Sequence, residues 1–372
     1  MKAKRANSLL LYTLIAFSLL NTACGTANNQ AIVLPVPPPT AQEHQRLQPS
    51  SLQRSPRHSP TPHVTEEQAG VYYETVLTIP VGEAGVAYRG VDTPGMDITG
   101  PNALAVLSDM SVVVADLIGN RLLRYDPTGK LLGIINLYAR EIVNIWDLVA
   151  FKDELILLEI SLDIPPERYR VNRLTSDGKL LTSYDIPKGY HLQDGLTGIS
   201  VDCEGQILLE IKGGQAFYRL VDPKGNLNAR NGYLCNGKTY RVESTQLVAG
   251  DVKLETQLTT GLGGLKLLGV LADGSVYVVR EDVVAQQPVI TVDQTVHYVS
   301  ADGLQLGVAR VPIAEAYYYV MRNLAVGPDG YVYSLLPRPD AVYVVRLKLF
   351  KSIAPLVPNA VAPLVTRSGT QP

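Results

Sequence analysis

One pattern recurs five times along this chain: an apolar entry ending in Val or Ala, three residues to an acid at a turn, then a second apolar run. The copies are Leu104-Ala-Val106 to Asp109, Leu148-Val-Ala150 to Asp153, Ile199-Ser-Val201 to Glu204, Leu268-Gly-Val270 to Asp273, and Leu324-Ala-Val326 to Asp329. An internal repeat on this scale needs neighbouring units to bury its apolar faces, and four short strands per unit specify an all-β ring, a β-propeller. Successive acids lie 44, 51, 69 and 56 residues apart. The widest gap holds two further strand patterns, Lys238-Thr-Tyr-Arg-Val242 and Asp251-Val-Lys-Leu-Glu-Thr256. These make either a degenerate sixth four-stranded blade or a hairpin inserted into a ring of five.

The first unit shows the whole blade. Its strands run about 102–107, Val112-Val-Val-Ala115, Arg121-Leu-Leu-Arg-Tyr125 and Leu131 to Leu137, with Asp126-Pro-Thr-Gly129 as a type I turn in which Pro fixes φ. The last unit lacks an outer strand, and Val71-Tyr-Tyr-Glu-Thr-Val-Leu-Thr-Ile79 is an outer strand without a blade. Pairing the two closes the ring and removes two exposed edges. The propeller is thus expected over 70–350.

The flanks read differently. Lys2, Lys4 and Arg5 precede an apolar run, Leu9 to Leu20, too short for a membrane span and suited to a signal peptide over 1–24. Leu20-Asn-Thr-Ala23-Cys24 resembles a bacterial lipobox, which implies an acylated Cys24 and a lipid anchor on the outer face of the membrane. Asn21 departs from that pattern, and ordinary cleavage to a secreted chain is the alternative. Residues 25–69 form a Pro-rich, aperiodic tether expected to stay disordered, and 351–372 a flexible tail. His44, His58 and His63 lie in the tether with irregular spacing and no carboxylate frame, and are read as solvated.

Gly100-Pro-Asn-Ala-Leu-Ala-Val106, Val112-Val-Val-Ala-Asp116, Asn120-Arg121-Leu and Tyr125-Asp-Pro-Thr-Gly-Lys130 resemble an NHL repeat, and Arg322-Asn-Leu-Ala-Val-Gly-Pro-Asp-Gly330 resembles its first half. The resemblance implies a rigid platform for a protein, peptide or sugar ligand. Asp116 and Arg121 match its acid and Arg, and are read as a salt bridge that fixes a turn. With a net charge of −2 and scattered Lys and Arg, nucleic acid is not an expected partner.

No nucleophile elbow, zinc-protease helix, phosphate loop or Cys-x-x-Cys site is present, and His191 and His297 are the only His of the repeat region. Gluconolactonase-like propellers hold a divalent cation in the central funnel. The loops aimed at the axis here supply Asp97, Asn102, Asn144, Asp147, Asp194 and Asn323, an oxygen set adequate for such an ion, although the Glu-Gly-Pro stretch of those enzymes is absent. Trp146 and Tyr317 add aromatic surface suited to peptide or sugar contact. The expectation is a binding platform without catalysis and without a cofactor; the alternative is a cation-dependent hydrolase or lactonase acting in the funnel. Cys203 and Cys235 are a candidate disulfide, although the repeat puts one at an inner turn and the other after an outer strand, on opposite faces unless the chain doubles back.

Overall fold

The computed structural model describes residues 64–65 and 72–353, except 83–84, 92, 94–95, 163–166, 251 and 288–289. The signal peptide, Cys24, nearly all of the tether and most of the tail lie outside the described residues. Among those described, no helix is long and apolar enough to cross a membrane.

The chain is a six-bladed β-propeller of four-stranded antiparallel sheets. Blade one comprises Ala103–Val106, Val112–Asp116, Arg121–Tyr125 and Leu131–Asn136, from axis to rim. Blades two and three span Ile145–Phe151 to Leu180–Asp185 and Leu196–Val201 to Leu227–Arg230. The wide gap holds a complete blade four: Tyr233–Cys235, Lys238–Glu243, Gln246–Ala249 and Val252–Glu255. Blade five begins at Gly263–Val270 and blade six at Leu324–Val326. As expected, Tyr73–Pro80 completes blade six, with Ile79 opposite Val342 and Tyr73 opposite Leu347.

Second strands are covered on both sides and largely apolar, with Asp116 and Glu210 as buried charges; Val112–Asp116 and Ile207–Ile211 are buried throughout. The core is therefore a set of seams, each shared by neighbouring blades. Leu77, Leu104, Tyr125 and Val344 fill the one between blades six and one, and Tyr277, Tyr298, Val332 and Val345 that between five and six.

The repeated acid is a turn device. Asp109 accepts hydrogen bonds from the Ser111 N–H (2.9 Å) and Oγ (2.6 Å), and Asp273 does the same with Ser275 (2.9 and 2.5 Å). In blade three this role falls to Asp202, which accepts the N–H groups of Glu204 (3.0 Å) and Gln206 (2.9 Å), so Glu204 is not the turn acid there. Blade four has no acid at this turn. It turns on Asn236 and Gly237, both at positive φ (50° and 74°), the signature of a two-residue hairpin.

Two details depart from the sequence reading. Val64–Thr65, inside the segment read as tether, pairs in parallel with Leu349–Phe350. This pair lies on the outer strand of blade five and makes that sheet six-stranded. Cys235 ends the innermost strand of blade four instead of trailing blade three. Cys203 and Cys235 thus sit at the same inner turn of adjacent blades, and their sulfurs are bonded (Cα–Cα 5.0 Å).

Candidate functional site

Six innermost strands begin around the axis, and the side chains at their first positions decide what the funnel contains. Aligned on the repeat, the position two before each first Leu or Ile is Asn102, Trp146, Thr197, Lys266 and Arg322; the next is Ala103, Asp147, Gly198, Leu267 and Asn323. One acid and two cations therefore converge, joined by Glu210 from the second strand of blade three.

Arg322 reaches from blade six across to blades two and three, and blade three is diametrically opposite. Its Nε and Nη2 donate to the two Asp147 carboxylate oxygens at 2.5 and 2.6 Å. Nη2 also donates to the Ile199 carbonyl and lies 3.5 Å from Glu210 Oε1. The other Glu210 oxygen is 3.1 Å from Lys266 Nζ. Asp147 is completed by the N–H groups of Leu148 (2.8 Å) and Ile199 (2.9 Å). Gly198 makes room for this: a Cβ there would stand 2.6 Å from Asp147 Oδ2 and 3.2 Å from Arg322 Nη2. The Arg322 side chain is only 10% exposed, and the axis is closed by an ionic plug.

Charge balance explains the protonation states. Burial works against the Arg322 cation, yet Asp147 and Glu210 outweigh it and raise its pKa further. Burial likewise opposes the Glu210 anion, but Lys266 and Arg322 hold the carboxyl below the usual glutamate range. Burial, followed by the Glu210 charge, pushes the Tyr233 hydroxyl up.

The candidate cation ligands do not assemble. Asp147 is committed to a guanidinium. Asn102 donates through Nδ2 to the Ile145 carbonyl (2.6 Å), and Asn323 to Gln294 Oε1 (3.0 Å). Asp97, Asn144 and Asp194 are exposed. Asp194 caps a short turn by accepting the His191 N–H (3.0 Å), and no hydrogen bond ties these three to the plug among the described residues. No group of three or more His, Cys, Asp and Glu able to hold a metal occurs among the described residues. A cation brought to Asp147 would meet Arg322 first, so this donor set does not fit the funnel ion of gluconolactonase-like propellers.

The aromatics divide. Trp146 is half-buried and packs into the seam between blades two and three. Tyr317 and Tyr318 lie against Tyr88, with ring centroids 6.0 and 5.5 Å away, and Tyr318 Oη donates to the Pro101 carbonyl (2.8 Å). Tyr319 instead is 71% exposed. The surrounding protein, then the Glu281 charge, nevertheless raise its hydroxyl pKa to about 12. His191 is structural: it stacks on Tyr169 at 3.7 Å, and its Nε2 meets the Ile186 carbonyl at 3.0 Å. Asp116 and Arg121 form the salt bridge that their spacing implies (2.9 Å).

The fold and its plugged axis define the class, a closed six-bladed β-propeller. No protein-family model and no curated protein sequence matches the chain. Among solved structures, it is similar to a protein assigned as a gluconolactonase (14% identity, TM-score 0.43), covering 76% of this chain and 94% of that one. Virginiamycin B lyase from Staphylococcus aureus is 14% identical (TM-score 0.39; 67% and 95% covered). A protein of Bacteroides fragilis assigned as exported is 9% identical (TM-score 0.41; 78% and 99% covered). Likeness at this level assigns neither activity nor ligand.

Proposed function

We propose that this propeller is an extracytoplasmic binding platform, tethered to the membrane through an acylated Cys24, that takes a peptide or sugar at the funnel mouth. The observation that carries the reading is the ionic plug. Arg322 and Lys266 neutralise Asp147 and Glu210 across the axis, and the exposed Tyr319 stands three residues before Arg322, on the loop that leads into the same innermost strand. An exposed aromatic ring beside polar groups favours stacking and hydrogen bonding over bond cleavage.

The test is a thermal-shift and calorimetric series on purified protein with calcium, zinc, and panels of oligosaccharides and peptides. A platform binds a sugar or peptide through a surface that Tyr319→Ala weakens by about 1 kcal/mol or more, and gains no stability from either ion. Stabilisation by millimolar calcium or zinc, lost in Asp147→Asn, would establish the hydrolase alternative instead. Replacing Cys24 by Ser and following detergent partitioning tests the anchor; a variant that partitions as the parent does rules it out.

A further inference from the structure

Each blade ends in an outer strand, and in five of the six that strand is a free sheet edge among the described residues. Exposed edges invite pairing, and proteins blunt them with charge, proline or cover. Four of the five are blunted so. Tyr73–Pro80 carries Glu74 and ends in Pro80, and Leu180–Asp185 ends in Asp185. Leu227–Arg230 ends in Arg230, and Val252–Glu255 carries Lys253 and Glu255. The sixth outer strand, in blade five, is covered by Leu349–Phe350.

Blade one is the exception. Its outer strand, Leu131–Asn136, has no charged residue and no proline, and the chain stays uncharged from Leu131 to Ala139. Leu132 (49%), Ile134 (52%) and Tyr138 (62%) are open to solvent, as is Leu131. No backbone hydrogen bond reaches the outer side of residues 131–135 among the described residues. The patch continues onto blade two. Arg124 Nη1 donates to the Ser176 carbonyl (3.2 Å) and Arg140 to the Gly178 carbonyl, which holds exposed Leu180 and Leu181 beside the strand.

We infer that this edge is a dimer interface, at which a second copy of the chain pairs its own Leu131–Asn136 antiparallel across a two-fold axis. A two-fold axis makes an uncharged strand its own complement: like meets like without opposing charges. The six exposed apolar side chains offer about 600 Å² by ordinary side-chain areas, so pairing two copies removes about 1,200 Å², the lower bound of specific interfaces. The Leu132 bulge, where the register with Arg124 and Tyr125 shifts, bends the lower end away and centres the pairing on Ile134, which faces its own copy across the two-fold axis. This inference is independent of the funnel reading.

Sedimentation equilibrium on the purified full-length chain tests it. The parent is a dimer at about 100 µM, where a pair of micromolar affinity is mostly associated. Ile134→Lys, on an exposed position, weakens association by at least about ten-fold, with circular dichroism and melting temperature unchanged. Ile134, exposed at the centre of the pairing, also accepts Cys without disturbing the core. Ile134→Cys then gives a covalent dimer on mild oxidation, which reductant reverses. A monomeric parent at that concentration, an Ile134→Lys variant that associates as the parent does, or an Ile134→Cys variant that stays uncrosslinked overturns the inference. So does a parent that stays monomeric and floats with phosphatidylglycerol vesicles through this patch.

Discussion

The axis and the seams hold the same ring together by opposite means. Between blades the contacts are apolar and redundant: Leu157, Leu155, Val113 and Ile135 share one seam, and trimming any one leaves the others touching. At the axis a single Arg322 side chain bridges blades six, two and three. The seams distribute cohesion over many weak contacts, whereas the axis concentrates it in charges that only one another can satisfy. A buried ion pair contributes little net stability against a hydrophobic substitute, but it is costly to leave half-made. The axis is thus the brittle part of the ring.

Arg322→Ala should show the largest effect, a loss of about 3–5 kcal/mol in chemical denaturation, because Asp147 is left buried without its partner. Leu157→Ala is the matched seam control, at about 3 kcal/mol. An Arg322→Ala loss smaller than that of Leu157→Ala would break the contrast. Next comes the Cys203–Cys235 bond, which ties blades three and four at their inner turns. Replacing both by Ala, or reduction, should cost about 3–4 kcal/mol for a loop of this size.

Acid should sharpen the comparison further. The folded pKa of Glu210 lies below its unfolded value, so the stability it supplies is complete above the ordinary glutamate range (about 4.3) and disappears as pH falls through the lower folded value. Asp109, held down against partial burial by Ser111 and Arg124, acts in the same direction, while Asp202, raised by burial, opposes it. The melting temperature of the parent should therefore drop more between pH 5 and 3 than that of Glu210→Gln; equal slopes would detach the plug from the acid response. The smallest effect belongs to the surface. Breaking the surface Arg241–Glu243 pair (2.5 Å) with Arg241→Ala should change stability by less than about 1 kcal/mol.

The blades were legible where turn chemistry repeats. Asp109 and Asp273 cap their own turns, and such a residue must recur at a fixed distance from its strand. Blade four was ambiguous because its inner strand is only Tyr233–Cys235 and its turn is Asn236-Gly237. The same ambiguity set Cys235 on the wrong face. Of the site, Asp147 and Asn102 were visible as oxygens facing the axis, but their partner was not. Arg322 immediately precedes Asn323, and with Lys266 it occupies the same place in the repeat. Two cations at one repeat position, beside an acid at the next, are the signal for a plug. Glu210 carried none, because an acid in a second strand looks no different from the solvated ones. Tyr319 stood in a run of three Tyr, and packing alone distinguishes it from Tyr318.

Ring closure through Tyr73–Pro80 has a consequence for biogenesis. That strand leaves the ribosome first among the blade strands, yet its partner, Ala341–Leu347, comes almost last. It must wait unpaired while five blades are made, so the circle cannot close before Ala341–Leu347 is synthesised. Folding during synthesis is therefore provisional until Ala341–Leu347 arrives, and a nascent chain that stops short of it presents an open seam to any quality-control protease.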